Sequence, residues 1–302
     1  MIKTLITGGC SFTHSWDTYA VQIKKYKPDI NVCNISLSGA GNDLISRMII
    51  HKVSQFLSEG KNPEDLYVIM QLSGLERKTF LISQDDSVLY DELNKSRGFD
   101  NHLPDDFEYK WGGRQPWNNF VSCPKTFWAQ MMANGIQDNK LFSSYFNYIY
   151  SDEAHFVETL ENILRVQWFL NQYKIKYKMF CGWDIFTYSD EAHLPGKFRK
   201  SHHHNQFSGI NNISDLKYQY INTNNQLYKD RYKNATHLWD LIDLNKFWFF
   251  QNKNIKYGGL INWTQYNTPP GKWYRTKDDH HPSTLAHTKF TENVVIPWIN
   301  DK

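Results

Sequence analysis

The residues best suited to chemistry lie near opposite ends of the chain. Early on, "TGGCSFTHS" (Thr7 to Ser15) sets Ser11 just beyond the short apolar run "IKTLIT" and a pair of glycines. Late in the chain, "DDHHPSTLAH" puts Asp278 three residues before His281. A serine hydroxyl becomes a nucleophile when an imidazole takes its proton, a carboxylate fixes the imidazole tautomer, and amide donors face the oxyanion that forms. The D-x-x-H spacing lets Asp278 reach Nδ1 of His281 and leaves Nε2 for the reacting groups. Asp279 and His280 are adjacent and would point in different directions. The plainer readings are a polar serine in a glycine-rich loop and a surface histidine at a helix entry.

Whether these ends can meet depends on the elements between them. "IKTLIT" followed by Gly8 and Gly9 predicts a buried strand entering a tight turn. A helix over about 16–25, a β-branched run from Ile30 to Ser36, helical spacing from Asn42 to Leu57 with Gly60 as its stop, and the apolar run "LYVIMQLSG" (Leu66 to Gly74) follow. Strand, helix, strand, helix, strand within 75 residues predicts βαβ units and a parallel sheet. Residues 78–150 read as a loop-rich insertion. A helix over about 152–173, capped by Ser151, and a strand from Ile175 to Trp183 restore the rhythm. A second insertion covers 187–232. "INWTQYNTPPGKWY" reads as a Gly- and Pro-rich loop, and a final helix enters at Pro282. The expected fold is a three-layer α/β/α sandwich with a mainly parallel sheet, one domain over 1–302 carrying two insertions. In such a sheet the C-terminal strand ends share an edge, so loops distant in sequence meet there.

Composition narrows the function classes. With 40% hydrophobic and 22% charged residues the chain falls in the ordinary globular range. The net charge of +3 is not gathered into a basic block, which argues against nucleic acid and anionic membranes as partners. No apolar run approaches the length that spans a bilayer, and the N-terminal run is too short for a signal peptide, so a cytoplasmic protein is expected. Cys10, Cys33, Cys123 and Cys181 are isolated, without CxxC spacing, and read as reduced thiols. His202 to His204 are adjacent in a polar insertion and do not point one way, so they read as an exposed loop and not a metal site. No metal or organic cofactor is expected. The abundant aromatics read first as core and loop anchors, and second as surfaces for sugar rings.

Taken together, three blocks make the chain resemble the SGNH/GDSL-type hydrolases, in a G-C-S-F variant subgroup found in phages and bacteria. "GGCSFT" stands where that family carries its Gly-Asp-Ser nucleophile block, "NISLSGAGND" where it carries Asn and then Ser-Gly, and "DDHHPSTLAH" where it carries its Asp and His. The resemblance covers the first 75 and last 25 residues and implies a flavodoxin-like topology. It implies Ser11 as nucleophile, His281 as base, Asp278 as the orienting carboxylate, and the Ser11 and Gly39 amides in the oxyanion hole. Cys10 replaces the family's aspartate beside the nucleophile. In the third block Leu75 stands where an oxyanion-binding Asn belongs; Asn42, at a predicted helix start, is the expected replacement donor, its alternative role being a helix cap. Arg77, Trp183 and Asp184 fall at strand ends on the same edge and are expected substrate contacts, the alternative for Arg77 being a pairing with Glu76. The implied activity is hydrolysis of a small-molecule or glycan ester, with carbohydrate O-acetyl groups as one candidate. Acyl transfer by the same triad, and a non-catalytic binding or structural protein with a degraded oxyanion hole, are the alternatives.

Overall fold

Short runs of β-branched, aromatic and other apolar residues supply the strands, in chain order β1 (Thr4–Gly8), β2 (Asn31–Asn34), β3 (Leu66–Leu72), β4 (Lys78–Ser83), β5 (Thr126–Met131), β6 (Lys176–Cys181), β7 (Thr187–Tyr188), β8 (Gln226–Leu227) and β9 (Phe247–Trp248). The computed structural model describes residues 2–75, 77–83, 126–131, 148–188, 226–253, 255–276 and 281–301. Asp278, Asp279, His280, Cys123 and His202 to His204 lie outside the described residues.

Five strands form one all-parallel sheet in the order β2-β1-β3-β6-β9. Every residue of β1 and β3 is buried, as expected for strands covered on both faces. From β1 the chain moves outward to β2 and then crosses back to β3, so the winding reverses between the C-terminal ends of β1 and β3. That reversal opens the crevice where doubly wound folds bind ligands, and Ser11 lies three residues past β1.

Helices cover both faces. The main ones are α1 (Ser11–His14), α2 (Tyr19–Tyr26), α3 (Asn42–Ser58), α4 (Asp152–Gln172), α5 (Tyr228–Arg231), α6 (Thr236–Asp240), α7 (Leu260–Asn267), α8 (Thr284–Phe290) and α9 (Ile296–Asn300), with a π-helical turn at Thr291–Val295 between the last two. On one face α3 packs on α4, and the Ser46 hydroxyl donates to Asn162 Oδ1 at 2.9 Å between them. On the other, α2 packs on the C-terminal helices through the Tyr19 and Phe290 rings, 5.9 Å apart, and Tyr26 Oη donates to Glu292 at 2.6 Å. Phe180, on β6, meets Tyr19, Phe290 and Trp298 in this layer. The three-layer α/β/α sandwich is therefore present, with a wholly parallel main sheet.

Three local readings need revision. The helix expected over 16–25 is α2, which starts three residues later at Tyr19, and α1 is a separate short helix before it that the sequence reading left in the loop. The fifth strand, β9, is two residues long and carries no periodic signature. The segment taken as a Gly- and Pro-rich loop contains α7: Gly259 and the Pro269–Pro270 pair bracket a helix without entering it. Asn262 Oδ1 accepts the Gly259 N–H at 2.8 Å, and the Thr268 hydroxyl closes the last turn on the Thr264 carbonyl at 2.6 Å. Both expected insertions have short antiparallel stems. The first starts with β4 paired to β5, and the second is closed at its base by Thr187↔Leu227 and Tyr188↔Gln226. Among the described residues no helix is long and apolar enough to cross a membrane.

Candidate active site

The loop after β1 is built around absent and buried groups. A Cβ on Gly9 would fall 2.6 Å from Gln71 Oε1 and 2.5 Å from Thr13 Oγ1, so only glycine lets β3 approach here. Gln71, wholly buried near the C-terminal end of β3, uses Oε1 to accept the Cys10 N–H at 3.0 Å, the Cys10 thiol at 3.3 Å and the Thr13 hydroxyl at 3.1 Å. Its Nε2 donates to the Leu72 carbonyl. Cys10, where the resembling family has aspartate, thus points into the core and ties the loop to β3. From the other side, Asn34 Nδ2 donates to the Thr13 carbonyl at 2.8 Å. These bonds leave Ser11 as the first residue of α1, part-exposed on the crevice side of a loop held at both shoulders.

His281 arrives on a hairpin. Ser283 N–H donates to the Trp273 carbonyl at 2.9 Å and Arg275 N–H to the His281 carbonyl at 3.0 Å, while Tyr274 and Pro282 form a β-bridge. The Arg275 guanidinium then grips Asp17, just beyond the nucleophile helix, with Nε on Oδ2 at 3.0 Å and Nη2 on Oδ1; Thr284 Oγ1 also donates to Asp17 at 3.1 Å. Asp17 is almost fully buried, and this bidentate pairing satisfies its charge. The outcome is that His281 Nε2 lies 2.7 Å from Ser11 Oγ, although 270 residues separate them. With Nε2 accepting the serine proton, the neutral ring carries its own proton on Nδ1, the nitrogen a D-x-x-H carboxylate would serve. Phe12 walls the imidazole edge-on at 5.2 Å and meets Trp183 at 5.4 Å on its other side.

Two amides near the loop after β1, the N–H groups of Ser11 and Gly39, have no described acceptor. Gly39 has φ 79° in a turn closed by Ala40 N–H on the Leu37 carbonyl at 3.1 Å, a conformation that favours glycine. Leu37 N–H in turn donates to the Gly9 carbonyl at 3.0 Å, which binds this turn to the nucleophile loop. Asn42, expected as a replacement donor, is engaged elsewhere. Its Oδ1 accepts the Ser73 N–H at 2.7 Å, and its Nδ2 donates to the Ser73 carbonyl at 3.1 Å and to Thr159 at 3.3 Å. The carboxamide acts as one more peptide unit alongside the end of β3, and the helix N-cap is Gly41. Leu75 is buried, and its carbonyl accepts from His155 Nδ1 at 2.7 Å. The side chains at positions 42 and 75 therefore shape the crevice without adding a donor.

Of the expected substrate contacts, Asp184 is committed to its own turn. Its carboxylate accepts the Phe186 and Thr187 N–H groups at 3.1 and 3.0 Å and the Thr187 hydroxyl at 2.6 Å. Burial nevertheless pushes its carboxyl up to about 6. Trp183 and Arg77 do come together at the active edge, the guanidinium carbon 5.1 Å from the ring centroid. His287, fully buried behind the base hairpin, accepts the Tyr19 N–H on Nδ1 at 3.3 Å, and burial depresses it to about 3. Sequence reasoning missed Gln71, although its signal was present: it is the lone strongly polar side chain in an apolar run, and such a residue needs buried partners. A scan of protein-family models and a search of curated proteins each find no match to this chain.

Proposed function

We propose that this protein is a serine hydrolase of the SGNH type acting on an ester. The observation that carries the reading is the 2.7 Å contact between Ser11 Oγ and His281 Nε2 at the reversal of sheet winding, beside two unused amides. In the proposed reaction Ser11 Oγ attacks the acyl carbon while His281 Nε2 takes its proton. The tetrahedral oxyanion is held by the Ser11 and Gly39 amides, and collapse expels the alcohol, which takes the proton back from His281. Water repeats the sequence on the acyl-serine; a second alcohol in place of water would make the reaction acyl transfer. Asp278, three residues before the base, is assigned the orienting role. Trp16, 72% exposed on the loop after α1, supports a glycan ester by offering a free aromatic face five residues from Ser11 in the chain.

The missing third donor favours one other reading, a binding protein on the same fold. Losing an oxyanion donor costs roughly 2.7 to 4 kcal/mol, a hundredfold or more in rate, so a slow enzyme is expected. Labelling with a fluorophosphonate probe separates the two readings. The hydrolase reading expects covalent modification that Ser11→Ala abolishes and His281→Ala slows by at least about a hundredfold. A chain that is not labelled, or is labelled equally after Ser11→Ala, is not a serine hydrolase.

A further inference from the structure

Resting on the reading above, we infer that Arg77 selects the substrate, and that the ester this site takes carries an anionic group, a carboxylate, near the scissile bond. Lys78 is neutralised twice, by Glu158 and by Asp43 at 3.7 Å. Arg77, its neighbour, has no carboxylate partner among the described residues, and its Nη1 is shielded from solvent without a hydrogen-bond acceptor. A guanidinium nitrogen removed from water and left unpaired is unfavourable, so its retention at a crevice points to an acceptor brought from outside.

Its position says where that acceptor sits. Arg77 N–H closes a turn on the Gly74 carbonyl at 3.3 Å, just past β3, and a Cβ on Gly41 would lie 2.7 Å from the Arg77 carbonyl. The residue therefore begins against the Gly39–Gly41 loop that supplies an oxyanion amide. Its guanidinium lies over Trp183, and Trp183 continues through Phe12 to His281 in successive ring contacts of 5.4 and 5.2 Å. The cation thus lies on the wall that holds the base. Asp184, next to Trp183 in the chain, has both carboxylate oxygens occupied by Phe186 and Thr187, and Glu76 lies outside the described residues. The cation–π contact with Trp183 holds the guanidinium in place, and its fork of N–H donors suits a planar two-oxygen acceptor, which a carboxylate supplies.

The test compares p-nitrophenyl hemisuccinate with p-nitrophenyl butyrate, esters of similar length that differ in one carboxylate. Wild type is expected to favour the hemisuccinate by roughly tenfold or more in kcat/KM, the range of one charge-assisted hydrogen bond, and Arg77→Met to bring that ratio to about one. A ratio near one in wild type, or a preference that survives Arg77→Met, overturns the inference. So does an equal loss on both esters, which would make Arg77 an oxyanion donor. A second arm needs no turnover. Monomethyl succinate is titrated into the Ser11→Ala protein, with tryptophan fluorescence as the readout because Trp183 lies beneath the guanidinium. Saturable binding that disappears with Arg77→Met supports the inference; no binding, or binding matched by methyl butyrate, refutes it. Binding without hydrolysis of either ester would remove the hydrolase reading and leave the carboxylate site standing.

Discussion

Removing the carboxamide of Gln71 should both destabilise the protein and disarm Ser11. In the folded chain Gln71 Oε1 serves three donors at 3.0, 3.1 and 3.3 Å, two of them on Cys10. Gln71→Met keeps the length and unbranched shape of the side chain and deletes only its polar end, so packing around β3 changes little. The Cys10 N–H then has no acceptor in a buried site, at a cost of about 1 to 3 kcal/mol. The Thr13 hydroxyl keeps Tyr19 Oη at 3.2 Å and loses only one bond, about 0.5 to 1.5 kcal/mol. The weakly donating Cys10 thiol adds little, so the total is about 1.5 to 4.5 kcal/mol. Urea unfolding followed by tryptophan fluorescence measures it, and an unchanged slope with a lower midpoint would show that stability alone moved. Because the same bonds anchor the loop carrying Ser11, fluorophosphonate labelling of the folded variant should slow by about tenfold or more, as misplaced reacting groups do. A variant within about 0.5 kcal/mol of wild type that labels at the wild-type rate would refute this account of how the nucleophile is positioned.

Acid should weaken the fold through His287. Its folded pKa of about 3 lies below the unfolded value of 6.5, so the unfolded chain binds the extra proton: the contribution is intact above pH 6.5 and declines as pH falls towards 3, by roughly 2 to 3 kcal/mol at pH 4.5. His287→Asn, which can still accept the Tyr19 N–H, should flatten that slope in urea titrations between pH 7 and 4.5; an equal slope would contradict the assignment. Asp184 acts in the opposite sense. Its carboxyl, raised to about 6 from 3.8, costs stability as pH rises through that interval, so Asp184→Asn should gain relative to wild type at pH 7 compared with pH 4, and an unchanged difference would count against it. Gly259→Ala should lower the thermal midpoint severely or prevent folding, because its Cβ would lie 2.3 Å from the Cys181 carbonyl and 2.5 Å from Trp183 N; a midpoint within a few degrees of wild type would show that α7 is free to shift.

The sequence carried most of the frame. β1, β3 and β6 are apolar runs bounded by turn residues, and α3 and α4 keep an apolar stripe over several turns, so local pattern and burial coincide. β9 was hidden because two residues at a sheet edge have no period to detect. α7 was hidden because the glycine and prolines that delimit it read as loop. Within the site, residue type was enough to nominate Ser11 and His281 and to place both on one edge. It was not enough to say how a carboxamide is spent: Asn42 and Gln71 carry the same functional group, yet one completes the end of β3 and the other carries the nucleophile loop. That division depends on which strand runs alongside, which only the tertiary fold decides.

Arg275 gives the site a history as well as a shape. Its backbone holds the His281 carbonyl and its side chain holds Asp17, so a single residue fastens the late hairpin to the early loop. Bringing Ser11 and His281 together closes a span of 270 residues, an entropic cost of about 5 kcal/mol plus a constant that nothing local offsets. Contacts of such separation are the slow ones in folding. On the proposed function, nucleophilic reactivity at Ser11 is therefore a property of the finished chain: a refolding population should regain its fluorescence first and its reactivity last, and a protein cut between the two ends would keep its serine but lose that chemistry once the halves part.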